Sequence, residues 1–431
     1  MSPHRQAGTV LADHTFAVPL DHAAPDGPQI EVFAREVIAA EHAASGSADQ
    51  LPWLVFLQGG PGRPGPRPNG RDGWLDRALR DYRVLLLDQR GTGRSTPANR
   101  LTLARLGTAE AQARYLALFR ADSIVADAEL IRRQLTGGRP WAVLGQSFGG
   151  FCAVSYLSRF PDGVTEAFIT GGLPGLATTA DDVYLATYPL VAAKNQAHYE
   201  RYSQDMEQAR RIARHLAATD VRLPSGAPLT VEAFQSLGLY LGASTGSNML
   251  HYLLEDAFDG REIGDDFRYR VESLISCASG PLYAVLHEAC YAQAAATRWA
   301  AHRVRQAFPG FSPDAAVEGA DPVLFTGEMI YPWMFAADPV LRPLAEAAEL
   351  LAQYEDWPLL YDPARLSVND VPVAAAIYYD DMYVPQQLSI QTAAGIRGLK
   401  RWVTSEHEHD GLRVSNGAVL DRLIGMLRGT V

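Results

Sequence analysis

The sequence predicts an α/β architecture: a mostly parallel central sheet covered by helices on both faces and interrupted by a large helical insertion. Three observations carry that expectation. Apolar runs at residues 53–57, 82–87 (interrupted only by Arg83) and 141–144 read as strands buried on both faces. A pattern with Ile124, Ala128, Ile131 and Leu135 at helical spacing lies between the last two. After about Pro174 the chain turns Ala-, Leu-, Arg- and Glu-rich, and strand-like runs return only beyond Leu366.

The elements follow in order. Residues 15–20 and 30–38 form a strand pair bridged by the turn-rich "DHAAPDGP". The three buried strands and their helix come next, then a run at 167–170 that stops at Gly171-Gly172. The last strands are expected at 371–379 and 400–404, with a closing helix at 420–427 packed back on the sheet. This gives a core in two parts, residues 1–173 and 367–431, and a helical cap at 174–366.

Totals narrow the function classes. With 431 residues the chain exceeds one small core, in keeping with a core plus an insertion. Its 38 basic and 49 acidic residues leave a formal charge of −11, which argues against nucleic acid as a partner. No run reaches the roughly 18 apolar residues of a membrane span. No apolar leader follows Met1, and Cys152, Cys277 and Cys290 are too scattered for a disulfide framework or a zinc pattern, so a reducing cytoplasm is expected.

The stretch "WAVLGQSFGG" sets a buried strand directly before Gly145-Gln146-Ser147-Phe148-Gly149, with a helix-compatible run after it. A serine in such an elbow is forced into a tight turn at a helix N-terminus, where the dipole favours developing negative charge. Ser147 is therefore the expected nucleophile. A serine is inert at neutral pH without a base, and the base needs an orienting acid. In this architecture both follow the serine, acid first. The strand at 371–379 runs into Asp380-Asp381, and either carboxylate fits. The strand at 400–404 leads to His407 and His409; His409, at the loop apex before Asp410-Gly411, is the expected base. The two histidines with Glu406, Glu408 and Asp410 also suggest a metal site, but no second ligand cluster joins them, so neither metal nor cofactor is expected.

Attack on a carbonyl creates an oxyanion that needs two fixed N–H donors. One is the amide of Phe148, after the nucleophile. The other is expected from "QGGPG" after the first buried strand, with Gly60 as donor and Pro61 stiffening the turn. "RGTGRS" lacks the spacing of a phosphate loop and reads as a turn, Asp88 and Arg90 fixing nearby loops.

"QGGPG", "DQRGTGRS", "GQSFGG" and the late "DDMYVP…EHDG" together resemble the prolyl aminopeptidases, or proline iminopeptidases, of the α/β-hydrolase fold. The likeness is closest to the longer bacterial form and extends into the cap through "VLHEACYAQ" and "FTGEMIYPWMF". It implies Asp381 as the acid, by the pattern Asp381-Met382-Tyr383-Val384-Pro385, and His409 in "HDG" as the base. It implies cap glutamates that meet a free substrate amine, here Glu288 and Glu328. Tyr291, Tyr331, Trp333 and Phe335 would wall a proline pocket. The chain departs from these relatives at Gln58, where they usually carry histidine. The activity implied is release of N-terminal proline from short peptides through an acyl-enzyme, with no cofactor. The alternatives are an esterase or amidase of other specificity, a broader aminopeptidase, or a non-catalytic binding protein on the same fold.

Overall fold

A computed structural model describes residues 4–431; Met1, Ser2 and Pro3, where the leader reading begins, lie outside the described residues. Nine strands form one sheet: β1 (His4–Gln6), β2 (Thr9–Pro19), β3 (Gln29–Ala39), β4 (Trp53–Leu57), β5 (Arg83–Leu87), β6 (Trp141–Gln146), β7 (Val164–Thr170), β8 (Val373–Tyr378) and β9 (Lys400–Thr404). Their order is β1-β2-β3-β5-β4-β6-β7-β8-β9. Strands β1 to β3 pair antiparallel, as does β3 with β5, and every pair from β5 to β9 is parallel.

The central strands are buried on both faces, and their alternating side chains enter two cores. Val55, Leu57, Val143, Ile169 and Ile377 pack on one face against helices α1 (Ala121–Thr136) and α2 (Phe148–Arg159). Leu54, Phe56, Leu144, Phe168 and Ala376 pack on the other, against Leu420, Leu423 and Ile424 of helix α4 (Ala418–Arg428). Helix α3 (Gln386–Gly395) connects β8 to β9. The regular elements between β7 and β8 are helices, apart from a hairpin of Phe258–Asp259 and Glu262–Ile263.

That helical segment holds two cores of its own. Tyr184, Tyr188, Val191, Phe234, Leu250 and Phe325 form one, and Met382, beside the expected acid, is buried in it. The other joins Leu282, Leu286, Phe335 and Leu351 to Leu103, Leu116 and Phe119, which precede α1 in the first part of the chain. The insertion is thus built into the core rather than perched on it.

The loop after β5 is fixed as its charges suggest. Arg90 and Asp127 form a fully buried pair, and Arg90 also donates to the carbonyls of Pro19, Leu20 and Leu118. Asp88 accepts from the amides of Gly65 and Arg94 and from the Arg67 guanidinium. Among the described residues no helix is long and apolar enough to cross a membrane.

Candidate active site

Strand β6 ends at Gln146 and α2 begins at Phe148, leaving Ser147 alone at the junction with φ 57° and ψ −128°. A non-glycine residue there is strained by about 1–3 kcal/mol and persists only where its surroundings hold it. Here the Ser147 amide donates to Thr170 O of β7 at 2.9 Å, and its carbonyl accepts from Gly150 N at 2.7 Å. The close approach needs glycine: a Cβ on Gly149 would collide with Leu57 O, and one on Gly172 with Ser147 O.

The two aspartates after β8 have opposite fates. Asp380 is exposed and Asp381 is buried. One Asp381 oxygen accepts the amides of Tyr383 and Val384 at 2.8 and 3.0 Å, and the other meets His409 Nδ1 at 2.6 Å. That contact places the imidazole proton on Nδ1 and leaves Nε2 as an acceptor. Burial alone would lower the affinity of His409 for a second proton; the charge and hydrogen bond of Asp381 outweigh it and hold the pKa above the usual histidine value. The His409 amide reaches Gly242 O of the helical segment at 3.3 Å, and the Tyr383 ring stands edge-on at 4.8 Å. His407 instead lies near the rings of Tyr378 and Trp402. Among the described residues no group of three or more His, Cys, Asp or Glu side chains is arranged to hold a metal ion.

Ser147 and His409 line one cavity of about 480 Å³ between the sheet edge and the helical segment. Gly59 and Gly60 form part of its wall, and Gly59 lies so close that a Cβ there would stand 3.0 Å from Ser147 Cβ. Gly60 has φ 141° and precedes Pro61 through a cis peptide. Glu328 also lines this cavity, and its Oε1 accepts the Tyr283 hydroxyl at 2.7 Å.

The other expected cap residues lie elsewhere. Glu288 is buried away from this cavity, and its carboxylate accepts the amides of Ala300 and Ala301 at 3.0 and 2.9 Å. Burial pushes its pKa up to about 7 against those bonds. Its place corrects the expectation that it meets a substrate amine: it caps the helix Ala300–Val304. Tyr291 packs among Phe151, Tyr184 and His287, also outside the cavity. Trp333 stacks on Tyr331 and faces a neighbouring cavity, so neither aromatic walls the space before Ser147. The aromatic wall is instead Tyr240, Tyr283 and Tyr383, with Arg63 and Arg413 as further polar lining. Of these only Tyr383 lay within a recognised motif; the others carry no local signal.

A parallel sheet, a strand–serine–helix elbow and an acid and histidine on the loops after the last two strands define an α/β hydrolase. Residues 52–257 match the family model for the alpha/beta hydrolase fold. The chain is 50% identical over 416 residues to a proline iminopeptidase of Aeromonas sobria, covering 96% of each. It is 36% identical over 421 residues to a proline iminopeptidase of Aspergillus aculeatus, covering 95% of this chain and 92% of that one. Among solved structures, a hydrolase from Pseudomonas aeruginosa PA01 covers 93% of this chain with 95% of its own, at 14% identity and a TM-score of 0.39. The chain belongs to the proline iminopeptidase family.

Proposed function

We propose that this chain is a serine aminopeptidase that releases N-terminal proline from short peptides through an acyl-enzyme on Ser147. The observation that carries the reading is a single cavity in which the elbow serine and the Asp381-bound histidine face Glu328. In this mechanism His409 Nε2 takes the Ser147 proton as Oγ attacks the prolyl carbonyl. The amides of Phe148 and Gly60 receive the oxyanion, each worth on the order of 3 kcal/mol of transition-state stabilisation. The protonated imidazole then gives its proton to the departing amine, and water, activated by the same base, releases proline. Glu328 holds the protonated secondary amine of the substrate by a charge-assisted hydrogen bond, which an acylated N-terminus cannot make.

The helical cap, residues 174–366 in our division of the chain, closes over the cavity and limits substrates to short peptides. We place the protein in a reducing cytoplasm, a reading supported by three cysteines that are all free. The test compares a prolyl chromogenic amide, its N-acetyl derivative and a simple acyl ester. Cleavage of the free prolyl amide with the acetylated one untouched is expected. Cleavage of the ester alone would assign the chain to a general esterase.

A further inference from the structure

Besides His409, the charged side chains on the wall of the catalytic cavity are Arg63, Glu328 and Arg413. Glu328 belongs to the cap and meets the amine in the reading above. Arg413 belongs to the core: it lies four residues beyond His409 and donates from Nη2 to Oε1 of Gln146, the residue before the nucleophile, at 3.0 Å. That is the guanidinium's one hydrogen bond among the described residues, and no carboxylate among them lies within ion-pair distance of it. The nearest acid in sequence, Asp410, accepts the amide and hydroxyl of Ser244 and acts on the guanidinium through its charge alone, favouring the protonated form against burial. A guanidinium has five N–H donors in a planar fork that matches a carboxylate, and Arg413 is an exposed residue that lines the cavity. Arg63, by contrast, is engaged on the cap side, donating to Ser279 Oγ at 3.3 Å and lying over the Tyr283 ring.

Glu328, from the cap, and Arg413, from the core, thus bring opposite charges to one cavity, and both act on His409, Glu328 raising and Arg413 lowering its affinity for a proton. The shortest peptide substrate has a matching pattern. In a dipeptide the ammonium lies on the acyl side of the scissile bond and the free carboxylate lies on the leaving side. We propose that Arg413 binds the α-carboxylate of the leaving residue, so that the site selects dipeptides with a free C-terminus. This rests on the aminopeptidase reading and adds the leaving-group side to it.

The experiment measures kcat/KM for prolyl-alanine and for prolyl-alanine amide, which differ in that charge, with a prolyl p-nitroanilide alongside. The acid should exceed the amide by about ten- to a hundredfold, mainly through KM, and the ratio should shrink as salt is raised. Arg413→Met should bring the ratio close to one, and Arg413→Lys should retain part of it. The ratio is read within each variant, so a general loss of rate does not disturb it. Should Arg413→Met not fold, Arg413→Gln and the salt dependence of the unaltered protein read the same quantity. A ratio near one in the unaltered protein, or one that survives loss of the guanidinium, overturns the assignment of Arg413 while cleavage of the anilide persists. Failure to cleave the anilide or either dipeptide overturns the aminopeptidase reading instead.

Discussion

Ser147 holds a backbone conformation that L-residues avoid, at a place where it and His409 line one cavity. Its partners are separable by adjacent substitutions. Asp381→Asn leaves the shape intact but removes the carboxylate that fixes the imidazole proton on Nδ1, and kcat should fall by about 10⁴-fold. Asp380→Asn, on an exposed side chain, should leave kcat within about twofold. The same pair of groups sets the pH dependence. His409 must be neutral to act as a base, and its raised pKa means protonation begins at a higher pH than for an ordinary histidine. The acid limb of kcat/KM should therefore lie above about 6.5. In the residual activity of Asp381→Asn it should move to lower pH, because the two largest effects opposing burial are then gone and only the charge of Glu328 still favours the proton; an unmoved limb would show that His409 is not the group titrating. Ser147 and His409 were legible because each sits in a glycine-marked turn after a strand, and the choice of Asp381 over Asp380 came from a motif. The role of Glu288 was not legible, because the amides it satisfies lie twelve and thirteen residues further on and meet it only through tertiary packing.

At the level of elements, the elbow depends on α2 pressing against the end of β4, where Gly149 abuts the carbonyl of Leu57. Gly149→Ala should cost about 3 kcal/mol or more, read as a fall in the denaturation midpoint, because backbone on both sides must move. The cap gives a contrasting pair. Glu288→Ala leaves two buried amides without an acceptor and should lower stability by about 2 kcal/mol or more, with KM for prolyl substrates little changed. Glu328→Gln should leave the melting temperature within a few degrees while raising KM for prolyl substrates at least tenfold. Equal effects of the two on KM would contradict the separate places given to them here. The buried strands were legible because an apolar run with no polar alternation has few other uses: β9 coincides with the expected span, and β4 does too. Strand β1 was missed, since His4, Arg5 and Gln6 are exposed and polar and owe their conformation to pairing with β2. Strand β2 begins six residues before the expected run for a similar reason, because backbone pairing with β3 continues past the apolar residues, whereas β3 exceeds its expected run by only one residue at each end.

Across the whole molecule, the insertion and the first part of the chain share a hydrophobic core in which Leu103, Leu116 and Phe119 depend on Leu282, Leu286 and Leu351. A chain in which residues 174–366 are replaced by a short linker should consequently expose apolar surface, bind a hydrophobic dye and melt without a cooperative transition. A cooperative melt would show that the sheet is self-sufficient. Sequence patterning marked the insertion as helical but carried no sign of this shared core, because contacts between segments more than 150 residues apart leave no local periodicity. Ser147 and His409 are likewise remote in sequence, and their meeting in one cavity is the claim on which the functional reading depends. Its most direct measurement is fluorophosphonate labelling followed by intact-mass and peptide mapping, with the labelling rate followed against pH. One adduct per chain on Ser147, forming at a rate that rises with the titration of His409 and is lost in Ser147→Ala, is the predicted result; no adduct, or one on another residue, would contradict it.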